Sequence, residues 1–166
     1  MATENHSPHV AVRPALSGSD IQSLQTLFRS YRDSLDVDLE FQGFEQELAS
    51  LPGYYAPPDG GAFLASVDGV DFGCCAFRPI GDVDYPNACE MKRLFVQPAL
   101  RGFGLGRQLM EHTMIAAKAA GYGYMLLDAL LDMEAARSLY QSAGFFDIPP
   151  YYYNPLPGTH YLAAEL

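Results

Sequence analysis

Residues 10–13 (VAVR) alternate apolar and polar, the period-2 pattern of a short strand. From Ile21 the period lengthens. Ile21, Leu24, Leu27, Phe28 and Tyr31 recur at helical spacing, and Ser19-Asp20-Ile21-Gln22 before them has the form of a capping box. Phe41, Phe44, Leu48 and Leu51 predict a second helix, stopped by Pro52-Gly53. Residues 52–61 (PGYYAPPDGG) are loop by composition. Two apolar runs follow, separated by Asp68-Gly69. Asp-Gly suits a tight hairpin turn, whose two central residues need positive φ, so 62–67 and 70–78 are expected to pair antiparallel.

After a loop at 79–87, residues 88–97 (ACEMKRLFVQ) read as a third long strand. A glycine-rich turn leads into a helix over about 104–120, ended by Gly121. YMLLDAL (124–130) reads as a buried strand. Asp132 is placed to cap a helix running through Ser142, and Gly144 ends it. Residues 145–148 and 160–165 are strand-like, with a proline- and tyrosine-rich stretch between them. No repeat and no linker interrupts the chain, so residues 1–166 read as one domain. The order of elements is that of an α+β fold with a mixed sheet, antiparallel first and locally parallel around the glycine turn.

Composition narrows the function classes. A hydrophobic share of 49% fits an ordinary core. No apolar run approaches the roughly 20 residues of a membrane span. The opening MATENHSPHV lacks the basic and apolar regions of a secretory leader. The net charge of −10 argues against a nucleic acid bound through a broad basic face. Three cysteines, two of them adjacent (Cys74, Cys75), argue against a disulfide framework or structural zinc. They favour a reducing compartment, the cytoplasm. Those two and Cys89 sit in predicted strands and read as small buried hydrophobes. His6, His9, His112 and His160 have no metal-ligand spacing.

Against this acidic background Lys92, Arg93, Arg101 and Arg107 form a small basic island. It contains the turn Arg101-Gly102-Phe103-Gly104-Leu105-Gly106-Arg107. Alternating glycines let a backbone approach a ligand closely. Their N–H groups and the free N–H groups of the following helix favour an anion such as phosphate. The turn is not a P-loop, because GxxxxGK[ST] is absent, and Arg107 stands where a dinucleotide fingerprint needs its third glycine. A third reading is the pyrophosphate loop of acetyl-coenzyme A binding, whose pattern is apolar strand, proline, Arg-x-x-Gly-x-Gly, helix; its other reading is a purely structural turn.

The segment MKRLFVQPALRGFGLGRQLM resembles the cofactor-binding motif of the GNAT N-acetyltransferases, and ARSLYQSAGF resembles that family's next motif. The resemblance implies a central, mostly antiparallel sheet of about seven strands and about four helices, with a splayed strand pair at the cofactor site. It implies direct acetyl transfer from acetyl-CoA to a primary amine, with no metal and no acyl-cysteine. Leu94, Phe95 and Val96 would offer backbone groups to the pantetheine arm, as an added strand would. Arg101, Gly102, Phe103, Gly104, Leu105, Gly106 and Arg107 would cradle the pyrophosphate. Tyr140 would protonate the leaving thiolate; its other reading is a core tyrosine. Met133 stands where the family often has an asparagine that touches the pantetheine.

An alkylamine with a pKa of about 10.4 must lose a proton before it attacks. Glu90 lies six residues before Val96, the offset at which several members of the resembled family place a catalytic glutamate, so the resemblance makes it the candidate base; strand alternation puts Glu90, Lys92, Leu94 and Val96 on one face. Its other reading is a surface carboxylate paired with Lys92 or Arg93. The resemblance puts the first two helices and their connection in the acceptor wall, so Asp33, Asp36, Asp38, Glu40, Glu45 and Glu47 would form either an acidic wall that attracts a cationic amine or a solvated loop. Tyr54, Tyr55, Tyr151, Tyr152 and Tyr153 would line the same mouth. A small amine, a polyamine or a lysine side chain fits as acceptor, and a homodimer is compatible with the resemblance. The competing class is a catalytically silent acyl-CoA-binding module on the same fold.

Overall fold

A computed structural model of the chain describes residues 7–35, 38–130 and 134–166. The elements are β1 (Val10–Pro14), α1 (Gly18–Ser34), α2 (Phe44–Ser50), β2 (Gly61–Val67), β3 (Val70–Pro79) and β4 (Ala88–Val96), followed by α3 (Leu105–Ala119), β5 (Tyr124–Ala129), α4 (Glu134–Ser142), β6 (Phe146–Ile148) and β7 (His160–Glu165). Among the described residues the sheet has seven strands in the order β1-β2-β3-β4-β5-β7-β6. Neighbours run antiparallel except β4 and β5, which are parallel. The mixed sheet expected from the order of elements is therefore present.

The two main cores lie on opposite faces of the sheet, and Ala88, Leu126 and Ala163 form a third, small cluster. On one face α3 packs Leu105, Leu109, Met110 and Ala117 against Cys75, Phe77, Met91, Met125 and Leu127. On the other, Leu24, Leu27 and Phe28 of α1 and Phe44 and Leu48 of α2 cover Leu64, Cys74, Ala76 and Phe95. The hairpin turn has the expected geometry, with φ of 50° at Asp68 and 81° at Gly69.

Two helix starts differ from the sequence expectation. The capping box of α1 is Ser17 with Asp20, two residues before the Ser19 start. Ser17 Oγ accepts from the Asp20 N–H, and the Asp20 carboxylate accepts from the Ser17 N–H. Asp20 also accepts from Arg13 Nη2 at 2.9 Å, which fixes the carboxylate of the box. The helix expected from Phe41 is broken: a 3₁₀ turn at Glu40–Gln42 ends on Gly43 in the left-handed region, and α2 starts after it. The proposed cap Asp132, together with Met133 and Asp36, lies outside the described residues.

The largest departure from simple alternation is in β4. Arg93 has φ of 63°. Ala76 opposes Lys92 while Cys74 opposes Phe95, so Arg93 and Leu94 together face Cys75 across a bulge. The extra residue reverses the faces that follow. Glu90 and Lys92 share a face with Phe95, while Leu94 and Val96 join Met91 against α3. The shared face expected for Glu90, Lys92, Leu94 and Val96 is thus corrected by one inserted position.

Arg93 is anchored by its side chain. Nε donates to Glu47 Oε2 at 2.9 Å, Nη2 to Glu47 Oε1 at 3.2 Å and Nη1 to Gln42 Oε1 at 2.8 Å. The guanidinium lies over the rings of Phe44 (5.0 Å) and Tyr31 (5.7 Å). Its side chain is 2% exposed and that of Glu47 is 18% exposed. Glu47→Ala strands this buried cation, and the expected loss is about 3–5 kcal/mol in urea unfolding. A loss below about 1 kcal/mol, the range of a surface pair, would contradict the anchoring role.

Candidate active site

The parallel pairing of β4 with β5 covers Ala88 with Tyr124, Cys89 with Met125 and Glu90 with Leu126, and then stops. Beyond Glu90 the two strands diverge. Residues 91–96 keep β3 on one side and, among the described residues, have no partner strand on the other. The gap is a cleft lined by Tyr31, Lys92, Leu94, Asp128, Tyr140 and Asn154, among others. Leu94, Phe95 and Val96 therefore lie on an open strand edge, able to accept an extended ligand through backbone hydrogen bonds. The side chain of Phe95 points away, into the core beside Tyr31, with ring centroids 6.2 Å apart.

The glycine turn follows β4. Gly102 and Gly104 have φ of 92° and 77°, the left-handed region where a Cβ is strained. The first α-type bond of α3 runs from the Gln108 N–H to the Gly104 carbonyl at 3.1 Å. The N–H groups of Leu105, Gly106 and Arg107 precede it and lack helical partners, at the positive end of the helix dipole. The side chain of Leu105 is buried, so that residue can offer a ligand only its N–H. Phe103 is exposed. Arg101 Nε donates to the Val96 carbonyl at 3.1 Å, and Arg107 Nη2 donates to Ser142 Oγ at 3.1 Å. Both arginines stand exposed beside the turn.

Tyr140 projects from α4 into the cleft, buried, with its ring edge-on to Phe145 at 5.8 Å. Its hydroxyl makes no hydrogen bond to another described residue. Burial pushes its pKa up, so it stays protonated and able to donate.

Glu90 is 1% exposed, which removes the surface-carboxylate reading. Oε1 accepts from Arg78 Nε at 3.0 Å, and Oε2 accepts from the Tyr151 hydroxyl at 2.6 Å. The carboxylate sits at a second, wider pocket of about 380 Å³, lined by Gln42, Glu47, Arg78, Lys92, Tyr151 and Tyr152, among others. Lys92 lines both cavities. Its Nζ lies 3.9 Å from Glu90 Oε1 and 3.9 Å from Asp128 Oδ1.

Asp128 was not singled out from the sequence. Its Oδ2 accepts from the Tyr152 hydroxyl and, at 3.0 Å, from Asn154 Nδ2. The available signal was a lone carboxylate in an otherwise apolar strand, YMLLDAL.

The tyrosine and acidic clusters divide. Tyr151 and Tyr152 line the wide pocket, and Tyr54 is exposed beneath the Arg78 guanidinium at 5.9 Å. Tyr55 is buried and donates to Glu47 at 2.7 Å, so it belongs to the core and not to the mouth. Tyr153 points outward. Asp33 and Glu45 pair with Arg32, and Asp38 caps the Glu40 N–H. Among the described acids of this segment, Glu47 alone reaches the pocket, and Arg93 holds it. The segment is therefore mostly a paired surface stretch. No group of three potential metal ligands occurs among the described residues.

A family model described as an acetyltransferase (GNAT) domain matches residues 58–146. An uncharacterized N-acetyltransferase of Schizosaccharomyces pombe is 37% identical over 148 residues, covering 89% of each chain. Among solved structures, a GNAT-family acetyltransferase of Staphylococcus aureus superposes with a TM-score of 0.75 at 17% identity, covering 95% of this chain and 99% of that one. The PaiA N-acetyltransferase of Thermoplasma acidophilum, solved in complex with coenzyme A, gives a TM-score of 0.72 at 16% identity, covering 95% and 99%.

Cys74, Cys75 and Cys89 are free and fully buried. Burial pushes the Cys75 and Cys89 thiols up to about 12, and Cys74 upward as well. No thiol of the folded protein should therefore react with a chromogenic disulfide at pH 8. All three should react after unfolding in guanidinium, as read by absorbance. A thiol titrating at once in the folded protein would contradict the buried placement.

Proposed function

Given that this chain belongs to the GNAT acetyltransferase family, we propose that the cleft between β4 and β5 receives the pantetheine arm of acetyl-CoA and the glycine turn its pyrophosphate. The protein is an acetyl-CoA-dependent N-acetyltransferase, and it is the division of that work among its residues that is proposed. The observation that carries the reading is the splay after Glu90 and Leu126, which opens a strand edge between the glycine turn and the Tyr140 hydroxyl.

In this reading Leu94, Phe95 and Val96 bind the pantetheine through the backbone, and an N–H of the same stretch polarises the thioester carbonyl. The free N–H groups of α3 and the side chains of Arg101 and Arg107 neutralise the diphosphate. The acceptor amine enters from the wide pocket. Glu90 takes its proton through Tyr151 or a water, since both carboxylate oxygens are already engaged. As the carbon–sulfur bond breaks, the Tyr140 hydroxyl protonates the thiolate. A second assignment of the base is favoured by one observation: Asp128 lines the same cleft as Tyr140, whereas Glu90 lines the neighbouring pocket. The acceptor is an amine that fits among Arg78, Tyr151 and Tyr152.

The test is a panel of small amines, polyamines and lysine peptides with detection of released coenzyme A. Arg101→Ala should weaken acetyl-CoA binding about ten- to a hundredfold by calorimetry, since a charge-assisted bond contributes roughly 1.5–3 kcal/mol. Equal affinities would remove the pyrophosphate assignment.

Tyr140→Phe should lower kcat about 10²–10⁴-fold and leave acetyl-CoA affinity near wild type, because the proton is needed only as the bond breaks. Wild-type turnover with chemistry limiting would make Tyr140 a packing residue. Glu90→Gln and Asp128→Asn separate the two bases. The variant that loses the acidic limb of the pH profile of kcat/KM has lost the proton acceptor.

A further inference from the structure

The chain has two lysines, Lys92 and Lys118. Lys118 is exposed in the last turn of α3. Lys92 differs from it in every respect that governs reactivity. Its side chain is 7% exposed, and what it meets is cavity: it lines the narrow cleft with Leu94, Asp128 and Tyr140, and the wide pocket with Glu90 and Tyr151. Its Nζ stands between two carboxylates, 3.9 Å from each, and 3.5 Å from Gln42 Oε1. Those contacts are too long to lock the ammonium as a tight pair would.

An amine attacks a thioester only in its neutral form. Burial lowers the pKa of Lys92, and the neighbouring carboxylates oppose that shift without reversing it. The chain thus carries a primary amine of its own beside the place where a thioester would lie, with proton acceptors on both sides.

We propose that Lys92 is an internal acetyl acceptor: with acetyl-CoA bound and no external amine present, the enzyme acetylates its own Lys92 side chain. The inference rests on the cofactor reading above. The Lys92 ammonium first gives one proton to Glu90 or Asp128, and the freed Nζ lone pair attacks the thioester carbonyl carbon, forming a carbon–nitrogen bond. The carbon–sulfur bond breaks and its electron pair leaves with sulfur. The surplus proton on nitrogen passes to the other of these two carboxylates, and the thiolate takes a proton from Tyr140. The products are acetyl-Lys92 and free coenzyme A, with nothing oxidised or reduced.

The modification has a built-in consequence. Acetylation removes the positive charge between Glu90 and Asp128 and adds an acyl group at the junction of cleft and pocket. The modified enzyme is closed to an external amine, so an enzyme charged with acetyl-CoA in the absence of its acceptor switches itself off. An acceptor in the wide pocket competes with Lys92 for the same thioester and keeps the enzyme open.

The experiment uses the full chain and acetyl-CoA alone. Native mass spectrometry reads acetyl-CoA uptake. Intact and peptide masses after unfolding read acetylation, and thiol detection reads coenzyme A release. The expected result is one acetyl group per chain on Lys92, one equivalent of coenzyme A, and modification of Lys118 slower by at least about tenfold, because a held amine reacts at a high effective concentration. Lys92→Arg should show neither the acetyl group nor the matching release. The peptide map of the wild type decides the question without that variant. A protein that takes up acetyl-CoA but keeps Lys92 unmodified, or acetylates Lys118 as fast, overturns this inference and leaves the cofactor reading intact. A protein that takes up no acetyl-CoA overturns both.

Discussion

A single residue of β4, Arg93, sits in the left-handed region at φ of 63°, and the site is arranged around it. A side chain with a Cβ held there costs about 1–3 kcal/mol of backbone strain. The bidentate bond to Glu47, the bond to Gln42 and the faces of Phe44 and Tyr31 offset that cost and tie α2 to the sheet. Lys92 and Glu90, before the bulge, face the wide pocket, while the bulge sends Leu94 and Val96 to the opposite face against α3. The same bulge lies just past the point where β4 parts from β5. One inserted residue therefore separates the side chains that face α3 from those that face the wide pocket.

The charge distribution follows from that separation. Glu47, Glu90 and Asp128 alternate with Arg78, Arg93 and Lys92 across the middle of the sheet, all buried or partly buried. Buried ions persist where each has a partner, and such clusters concentrate where proton transfer is needed. The interior set balances three against three, so the net charge of −10 arises elsewhere, largely on the surface. The acidic stretch around α2 belongs to that surface, apart from Glu47.

The two ends of the cleft are built by different means. At the glycine turn, the first N–H groups of α3 have no helical partner and stand at the positive end of the helix dipole, an arrangement that favours an anion. At the other end, the Tyr140 hydroxyl is kept protonated by burial on α4, and the carboxylates of Asp128 on β5 and Glu90 on β4 line the cleft and the neighbouring pocket. The three cysteines are sealed in the cores, so a thiolate of the chain does not compete with amine attack.

Local rules made much of this legible in the sequence. The Asp68-Gly69 hairpin, the strand–glycine–helix turn and the strand-and-helix order each depend on neighbours within a few residues, and each is present as read. Tyr140 and Glu90 could be singled out because motif and offset mark them. What the sequence could not carry was long-range pairing. Nothing in MKRLFV shows that Arg93 adopts positive φ, because the reason is Glu47 on another element, 46 positions away. Asp128 looked like an interruption in an apolar strand until the register of β4 and β5 set it beside Lys92 and Tyr152. The sequence by itself determined the order of the elements, the glycine turn and the family, since these rest on local spacing. Tertiary structure alone decided which face each side chain takes and which charges meet, because a one-residue bulge reverses alternation and strand register brings distant residues together.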